Sequence, residues 1–351
     1  MSPSRSAVKV RRGLLIGAGY FAQFQAEAWK RLPGARIIAV ADSHPGRARA
    51  FARRHGFRRA YTSAASALAE EGPDFVDIVT RPETHLELTS LAASHGAHVI
   101  CQKPMAPALH DCLAMCAACE RAGVRLLIHE NWRWQPWYRE SKRWLDQGWL
   151  GQPVHASFYW RSGDGRGAEP YALQPYFQTM PRLLVYESLV HVLDTYRYLL
   201  GDLEVVDCQL GRINPVIAGE DLAWIQVRFR NGGVVGRIDG NRVTGPVPAP
   251  VTMGSLILEG QEATLRLAGD GTLWVARRGQ EEEQVPFEPT TAGYRGDSVY
   301  AAQAHLLEAL SSGQASESDG RDYLKTVALV EDCYRLAGAV TEVVDPVINE
   351  Q

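Results

Sequence analysis

Three groups of residues in this sequence have the types and spacing to do chemistry. Gly17, Gly19 and Ala22 form Gly-x-Gly-x-x-Ala directly after the apolar run Leu14-Leu15-Ile16 and ahead of a helical stretch, Gln23 to Arg31, with Tyr20 and Phe21 between them. In such a turn the first glycine allows a tight bend and the second lets a pyrophosphate approach the backbone. The small third residue lets helix and strand pack closely, and the helix N-terminus faces the phosphate charge. The second group is Gln102-Lys103-Pro104, which follows the buried-strand pattern Val99-Ile100-Cys101 and sets a cation just beyond a strand end. The third is Glu187, His191 and Asp194, at i, i+4 and i+7 on the largely apolar helical stretch Leu184 to Leu200, so that all three share one face. A lone helical histidine is more often structural. Two acids on its own face would orient the ring and raise its basicity, which points to proton transfer.

The elements that must position these groups read as alternating strands and helices. Ile37 to Ala41 is an unbroken apolar strand ending in Asp42, about twenty residues after the glycine turn, where an acid bonds the adenosine ribose hydroxyls. An acid there repels a 2′-phosphate, so NAD is favoured over NADP; Arg47, Arg49, Arg53 and Arg54 follow, chiefly as a solvated helix face, the alternative being that one of them reaches a 2′-phosphate. The strand Phe75 to Thr80, a helix from Pro82 to Ser94, the strand Ala97 to Cys101, a helix from Pro107 to Ala122 and the strand Val124 to His129 continue the pattern. Such alternation predicts a doubly wound parallel sheet of the Rossmann type, with nucleotide bound at the carboxyl ends of its strands. Thr80, Arg81, Pro82, Gln102, Lys103 and Asn131 all fall just past a strand end.

The chain as a whole narrows the partners. Its 351 residues suggest two domains. A net charge of -3 and a pI of about 6.4 give no basic surface for nucleic acid. No apolar run reaches the roughly twenty residues needed to span a bilayer. Arg11-Arg12 behind the polar leader Met1 to Ala7 is not read as a twin-arginine signal, because the apolar stretch breaks at once into the glycine turn. Six cysteines make no plausible disulfide framework, and a reducing cytoplasm is the expected location. Cys112, Cys116 and Cys119 match the spacing of an iron–sulfur site. On a helix, however, three thiolates spread over two turns cannot converge on one cluster, so they are expected to be small buried side chains and no metal is expected.

Beyond Asn131 the pattern changes. Trp132, Trp134 and Trp137 stand among polar residues, an arrangement that suits sugar faces and equally a packed hinge. Tyr138 to Gly148 reads as a helix and Val154 to Trp160 as a strand. The loop Arg161 to Thr179, with Gly163, Gly165, Gly167, Asp164 and Arg166, is long enough for a substrate lid, the alternative being a disordered surface loop. Six β-type runs, Leu203–Arg212, Leu222–Arg230, Gly233–Asp239, Gly254–Glu259, Ala263–Leu267 and Thr272–Ala276, predict an open, mostly antiparallel sheet, with a hairpin at Asn231-Gly232-Gly233 and a solvated turn at Gln280 to Gln284. One face would cover the helix of His191. The other would be bare unless paired with a second copy, which predicts a homodimer or homotetramer. Helices Ser298 to Leu310 and Asp322 to Ala339 close the chain.

The glycine turn, Asp42, Thr80 followed by His85, Lys103-Pro104 and the helix of His191 together resemble the Gfo/Idh/MocA family, sugar and polyol dehydrogenases of the glucose–fructose oxidoreductase and inositol dehydrogenase type. The resemblance covers essentially the whole chain. It implies an α/β fold: a Rossmann domain over residues 8–130 binding NAD, and an α+β domain over 131–351 for substrate and oligomerisation. It implies cofactor contacts from Gly17, Gly19, Tyr20, Phe21, Ala22, Asp42, Thr80, Arg81, His85, Gln102, Lys103 and Asn131. Lys103, His191 and Glu187 become the catalytic residues, with Asn131 and Tyr159 as further substrate contacts. His191 would take the hydroxyl proton and Lys103 would stabilise the developing alkoxide, while Pro104 fixes the backbone behind the lysine. Two positions depart from the family. Gln102 stands where Glu is usual, and Glu187 stands where Asp is frequent; both bear on the substrate. The Gln102 variant, with His129 to Trp137, is similar to a subgroup acting on D-apiose. Two other readings stay open: a family member that retains NAD and cleaves or isomerises a glycoside with no net redox change, and a non-catalytic NAD-dependent sensor.

Overall fold

The computed structural model describes residues 10–246 and 249–342. The leader Met1 to Ala7 and the start of the first strand at Val8 lie outside the described residues. The chain divides into two compact units. The first comprises residues up to Asn131 together with Val299–Leu324, and the second Trp132–Ser298 with Lys325 onward.

The first unit is built on six parallel strands in the order β3-β2-β1-β4-β5-β6. In sequence these are β1 (Arg11–Ile16), α1 (Ala22–Arg31), β2 (Ala35–Ala41), α2 (Pro45–His55), β3 (Arg59–Tyr61), α3 (Ala64–Glu71), β4 (Phe75–Ile78), α4 (His85–Ser94), β5 (His98–Gln102), α5 (Leu109–Arg121) and β6 (Leu126–His129). Every residue of β4 and β6 is buried, as helices on both faces of a parallel sheet require. The strand order reverses between β2 and β4, which flank β1, and the Gly17 turn leaves β1 at that crevice. Neither β3 nor α3 is apparent in the sequence reading. β3 is a three-residue edge strand opened by an arginine, and α3 lacks a strong apolar stripe. The signals that could have marked α3 are its caps, Ser63 accepting the Ser66 N–H and Gly72 in the left-handed region.

Residues 299–324, assigned from sequence to the second half, pack into this first unit. Leu306, Leu307 and Leu310 join the core formed by Leu15, Trp29, Ile37, Val40 and Phe75, and Gln303 donates to the Gln25 carbonyl at 3.2 Å. Cys112, Cys116 and Cys119 lie along the buried face of α5. Burial pushes the Cys116 thiol up to about 11 and that of Cys119 up to about 12.

Inside this sheet Asp77 on β4 is fully buried. It accepts from the Trp29 indole at 2.6 Å and from the Gln25 amide at 3.3 Å, and desolvation pushes its carboxyl from 3.8 up to about 7. A pKa raised on folding stabilises the fold below pH 4, and this contribution is lost as pH rises from about 4 through about 7. An upward shift of about 3 units corresponds to a ceiling of roughly 4 kcal/mol. Asp77→Asn removes the titration, and turning the Gln25 amide over lets its Oε1 accept from the new side-chain NH2. The expected result is a variant about 2–4 kcal/mol more stable than the parent above pH 7, with the difference shrinking toward zero near pH 4. Denaturant midpoints across that range check it, and a difference independent of pH would refute it.

The second unit holds a nine-stranded sheet in the order β14-β13-β12-β11-β7-β10-β9-β8-β15. Its elements are α6 (Pro136–Asp146), β7 (Pro153–Arg161), a π-helical turn (Leu184–Leu189) continuing into α7 (Val190–Leu200), β8 (Leu203–Arg212), β9 (Leu222–Phe229), β10 (Val235–Asn241), β11 (Gly254–Gly260), β12 (Ala263–Leu267), β13 (Leu273–Arg277), β14 (Glu283–Gln284) and β15 (Val340–Glu342). The sheet is mostly antiparallel, as expected, but β7 pairs with β10 and β15 with β8 in parallel. Gly232 and Gly233 adopt positive φ at the predicted hairpin between β9 and β10. The expected solvated turn at Gln280 to Gln284 ends instead in β14, an exposed two-residue edge strand. β9 alternates strictly: Ala223, Ile225, Val227 and Phe229 are buried, while Trp224, Gln226 and Arg228 face outward. Gly240 on β10 lets the π turn sit against the buried face, since a Cβ there would lie 2.7 Å from Leu189 Cδ1. The helices α8 (Ser298–Ser312) and α9 (Gly320–Ala337) follow β14, and β15 ends the described chain. Among the described residues no helix is long and apolar enough to cross a membrane.

Candidate active site

In the first unit the candidate residues gather at the carboxyl edge of the parallel sheet. Gly17 has φ +104°, and a Cβ on it would lie 2.4 Å from the Val79 carbonyl oxygen, so only glycine fits between β1 and the end of β4. A Cβ on Gly19 would meet nothing within 4 Å, so open space lies in front of the turn that enters α1. Asp42, at the end of β2, accepts the Ala18 N–H at 2.9 Å and the His44 N–H at 2.9 Å, which aims its carboxylate at the glycine turn. Of the arginines that follow, Arg47 is engaged by this carboxylate through Nε and Nη2 at 2.9 Å. The open glycine turn, the helix start and the oriented acid fit a dinucleotide's pyrophosphate and ribose.

Tyr20 is exposed beside this turn, in edge contact with Phe24, and Phe21 packs on the core. Thr80 Oγ1 bonds Thr84 Oγ1 at 2.7 Å, and Arg81 is exposed, 3.9 Å from Glu83. Gln102 is buried in register with His129, whose ring burial pushes down to about 4. Asn131 is buried too, and Lys103 is half-buried ahead of Pro104, with a cis peptide between them.

His85, expected among the cofactor contacts, is instead wholly buried. Its Nδ1 faces the Met105 carbonyl at 3.0 Å and its Nε2 the Thr80 carbonyl at 3.2 Å. Burial lowers its pKa. The neutral ring has one N–H and so donates to one of these two carbonyls, packed between the loop after β4 and the loop after Lys103-Pro104.

In the second unit His191 is buried on α7 against an aromatic pile. The Trp132 ring lies 4.4 Å from the imidazole centroid at 18°, and Trp160 stacks on Trp132 at 5.5 Å. Asp194 lies one turn further along α7. It takes both arms of Arg133 at 2.7 Å and the Thr326 hydroxyl at 3.2 Å. The Asp194 carboxylate, expected to orient His191, neutralises a buried guanidinium. Glu187 stands on the π turn, where it accepts from Ser188 Oγ at 3.0 Å and lies 3.8 Å from Arg242. That turn is set from outside the helix. The Glu220 carboxylate accepts the Leu183 and Val185 N–H groups at 3.2 and 3.0 Å and the Tyr334 hydroxyl at 2.5 Å. An inserted π turn is a frequent companion of functional residues.

Tyr159, expected to touch substrate, lies on the other face of the sheet. Successive strand residues alternate, so Trp160 pairs with Gly240 on the helix side while Tyr159 turns away and bonds Arg237. Trp160 is the β7 residue that reaches the His191 pile.

The loop after β7 is packed. Tyr171, Phe177, Leu183 and Ile217 form a small core with Tyr176 and Met180. Arg242, 4% exposed in its side chain, bonds Asp164 of the loop at 2.5 Å and Ser188 of the π turn at 3.0 Å, with its guanidinium over the rings of Tyr171 and Phe177. Asn214 donates to the carbonyls of Gly165 and Gly167 at 2.7 and 2.9 Å. The loop and the turn carrying Glu187 are thus joined through one buried cation. Arg133, Arg242 and Glu220 are absent from the sequence reading; each acts across more than thirty residues, and no local spacing marks them.

Comparison with known proteins gives consistent matches. A family model described as oxidoreductase family, NAD-binding Rossmann fold, matches residues 11–130, and a GFO/IDH/MocA C-terminal domain model matches residues 138–266. D-apiose dehydrogenase of Paraburkholderia graminis is 36% identical over 345 residues, covering 95% of this chain and 89% of that protein. D-apiose dehydrogenase of Rhizobium rhizogenes is 36% identical over 334 residues, covering 93% and 95%. The crystal structure of an oxidoreductase from Agrobacterium radiobacter in complex with NAD+, L-tartaric acid and magnesium has a TM-score of 0.87 at 34% identity, covering 94% of this chain and 97% of that one.

Proposed function

Because the chain belongs to the Gfo/Idh/MocA oxidoreductase family, with NAD as its cofactor, we propose that it oxidises one hydroxyl of a sugar, D-apiose first among candidates. The observation that carries the reading is at the edge of one sheet: the Gly17–Gly19 turn with Asp42 oriented onto it, and Lys103 at the end of β5 beside them in the same unit. When bound, NAD supplies the hydride acceptor. His191 takes the hydroxyl proton, and Lys103 stabilises the negative charge that develops on that oxygen. Glu187, steadied by Ser188 and Arg242, holds a neighbouring hydroxyl or steers His191. Asn131 adds a polar contact. Residues 8–130 form the cofactor domain and 131–351 the substrate and oligomerisation domain, with 299–324 folded back into the former. The protein works in the cytoplasm as a homodimer or homotetramer. The outward face of the nine-stranded sheet, with Val206, Trp224 and Val235 exposed, is the surface joining the copies.

The test is NADH formation by the purified protein with NAD and NADP separately, against aldoses, inositols and branched sugars including D-apiose. NADH appearing with one of these sugars supports the reading. No reduction with any of them, and NAD co-purifying with the protein, would overturn it in favour of a retained-cofactor reaction with no net redox change.

A further inference from the structure

We propose that Trp132 is the positioning residue for His191, holding the plane of its imidazole by stacking; this rests on the reading of His191 as the proton acceptor. Of the two side-chain torsions of histidine, the one that turns the ring plane is soft and roughly two-fold. A base works only when its lone pair points at the proton it takes, within about 2.6–3.2 Å. On α7 the turn of the ring is restrained by an indole lying nearly parallel to it, at 4.4 Å and 18°.

That indole is itself fixed. Trp160 from β7 backs it at 5.5 Å, and the Arg295 guanidinium lies 5.6 Å from its ring. The next residue, Arg133, is bound through both arms to Asp194, three positions beyond His191. The short turn Trp132–Trp134 therefore grips α7 at two successive points, with an aromatic face on the imidazole and a guanidinium on the carboxylate. On the same helix face Asp194 takes Arg133, and Glu187 accepts from Ser188 Oγ. Trp132 is 3% exposed and His191 6%, so the stack is shielded from water, where an aromatic pair contributes beyond its buried area.

The experiment compares Trp132→Leu and Trp132→Phe in the wild-type and His191→Ala backgrounds. It reads kcat and KM with NAD and D-apiose, NAD binding, and the proton chemical shifts of the His191 ring. Leucine keeps apolar bulk and loses the π face; phenylalanine keeps a face. The expected result is a kcat lowered about 10–100-fold in Trp132→Leu with NAD binding unchanged, most of it recovered in Trp132→Phe, and no further loss in His191→Ala. The upfield ring-current shift of the His191 protons should vanish with leucine and persist with phenylalanine. Retained kcat with leucine, an equal loss with phenylalanine, or the same loss without His191 would overturn the proposal. Should D-apiose give no NADH with the unmodified protein, the substrate reading fails, and the ring shifts alone decide the role of Trp132.

Discussion

Lys103→Met is expected to lower kcat for sugar oxidation about a thousandfold while changing the Kd for NAD less than about threefold. Methionine keeps the unbranched stem and removes the ammonium. The lost interaction is one that strengthens only as the substrate oxygen gains charge, so it belongs to the transition state and the loss appears in kcat. Removing one preorganised oxyanion donor typically costs a factor of about 10²–10³, and a full cation at a half-buried site stands at the upper end. Cofactor affinity should survive, because the groups that fit the dinucleotide are carried by the β1–α1 turn and the end of β2, while Lys103 follows β5. The backbone around position 103 should survive as well. His85 packs between the Thr80 and Met105 carbonyls and donates to one of them without using the lysine side chain. Steady-state NADH formation and direct NAD titration measure the two quantities. Turnover unchanged in Lys103→Met would remove the lysine from the mechanism.

What was legible in the sequence follows from how local each cause is. The Gly17 turn and Asp42 could be read directly, because a positive φ, a missing Cβ and a strand end are set within a few residues. The strand-helix alternation gave the parallel sheet for the same reason. The expected helix from Leu184 hid a π turn, because the cause is a carboxylate at position 220 capping N–H groups at 183 and 185. Helical spacing placed Asp194 on the face of His191 correctly, yet spacing cannot tell which partner claims a side chain, and Arg133 lies 61 residues away. Phe158, Tyr159 and Trp160 are three aromatics in a row, so period-two alternation could not choose a face. The choice was made by Gly240, which opens room for the π turn on the side of Trp160. His85 was placed near the cofactor by resemblance, whereas it is wholly buried with its ring nitrogens facing two backbone carbonyls.

The second large effect is on stability. Arg133→Met should lower the unfolding free energy by about 3–5 kcal/mol, because it leaves Asp194 buried without its counter-charge. The side chain of Asp194 is 0% exposed and that of Arg133 is 7%, with two contacts of 2.7 Å between them. The Thr326 hydroxyl at 3.2 Å remains, but it also accepts from Arg197 and carries no charge. A pair of this kind need not stabilise the fold over an apolar pair of similar volume; its breakage is what costs. The double variant Arg133→Met/Asp194→Leu should therefore recover most of the loss, giving a coupling energy of the opposite sign to the single effects. Denaturant unfolding of both single variants and the double measures it. A single-variant cost below about 1 kcal/mol, or costs that simply add, would show that water reaches the pair and that it does not hold the Trp132–Trp134 turn to α7. If the coupling is found, the double variant also separates two roles of that turn. It restores packing around position 194 while removing the ion pair next to the Trp132 indole, which Trp160 and Arg295 still flank. Full recovery of stability with incomplete recovery of kcat would show that the ion pair holds the imidazole stack in register as well as the helix in place.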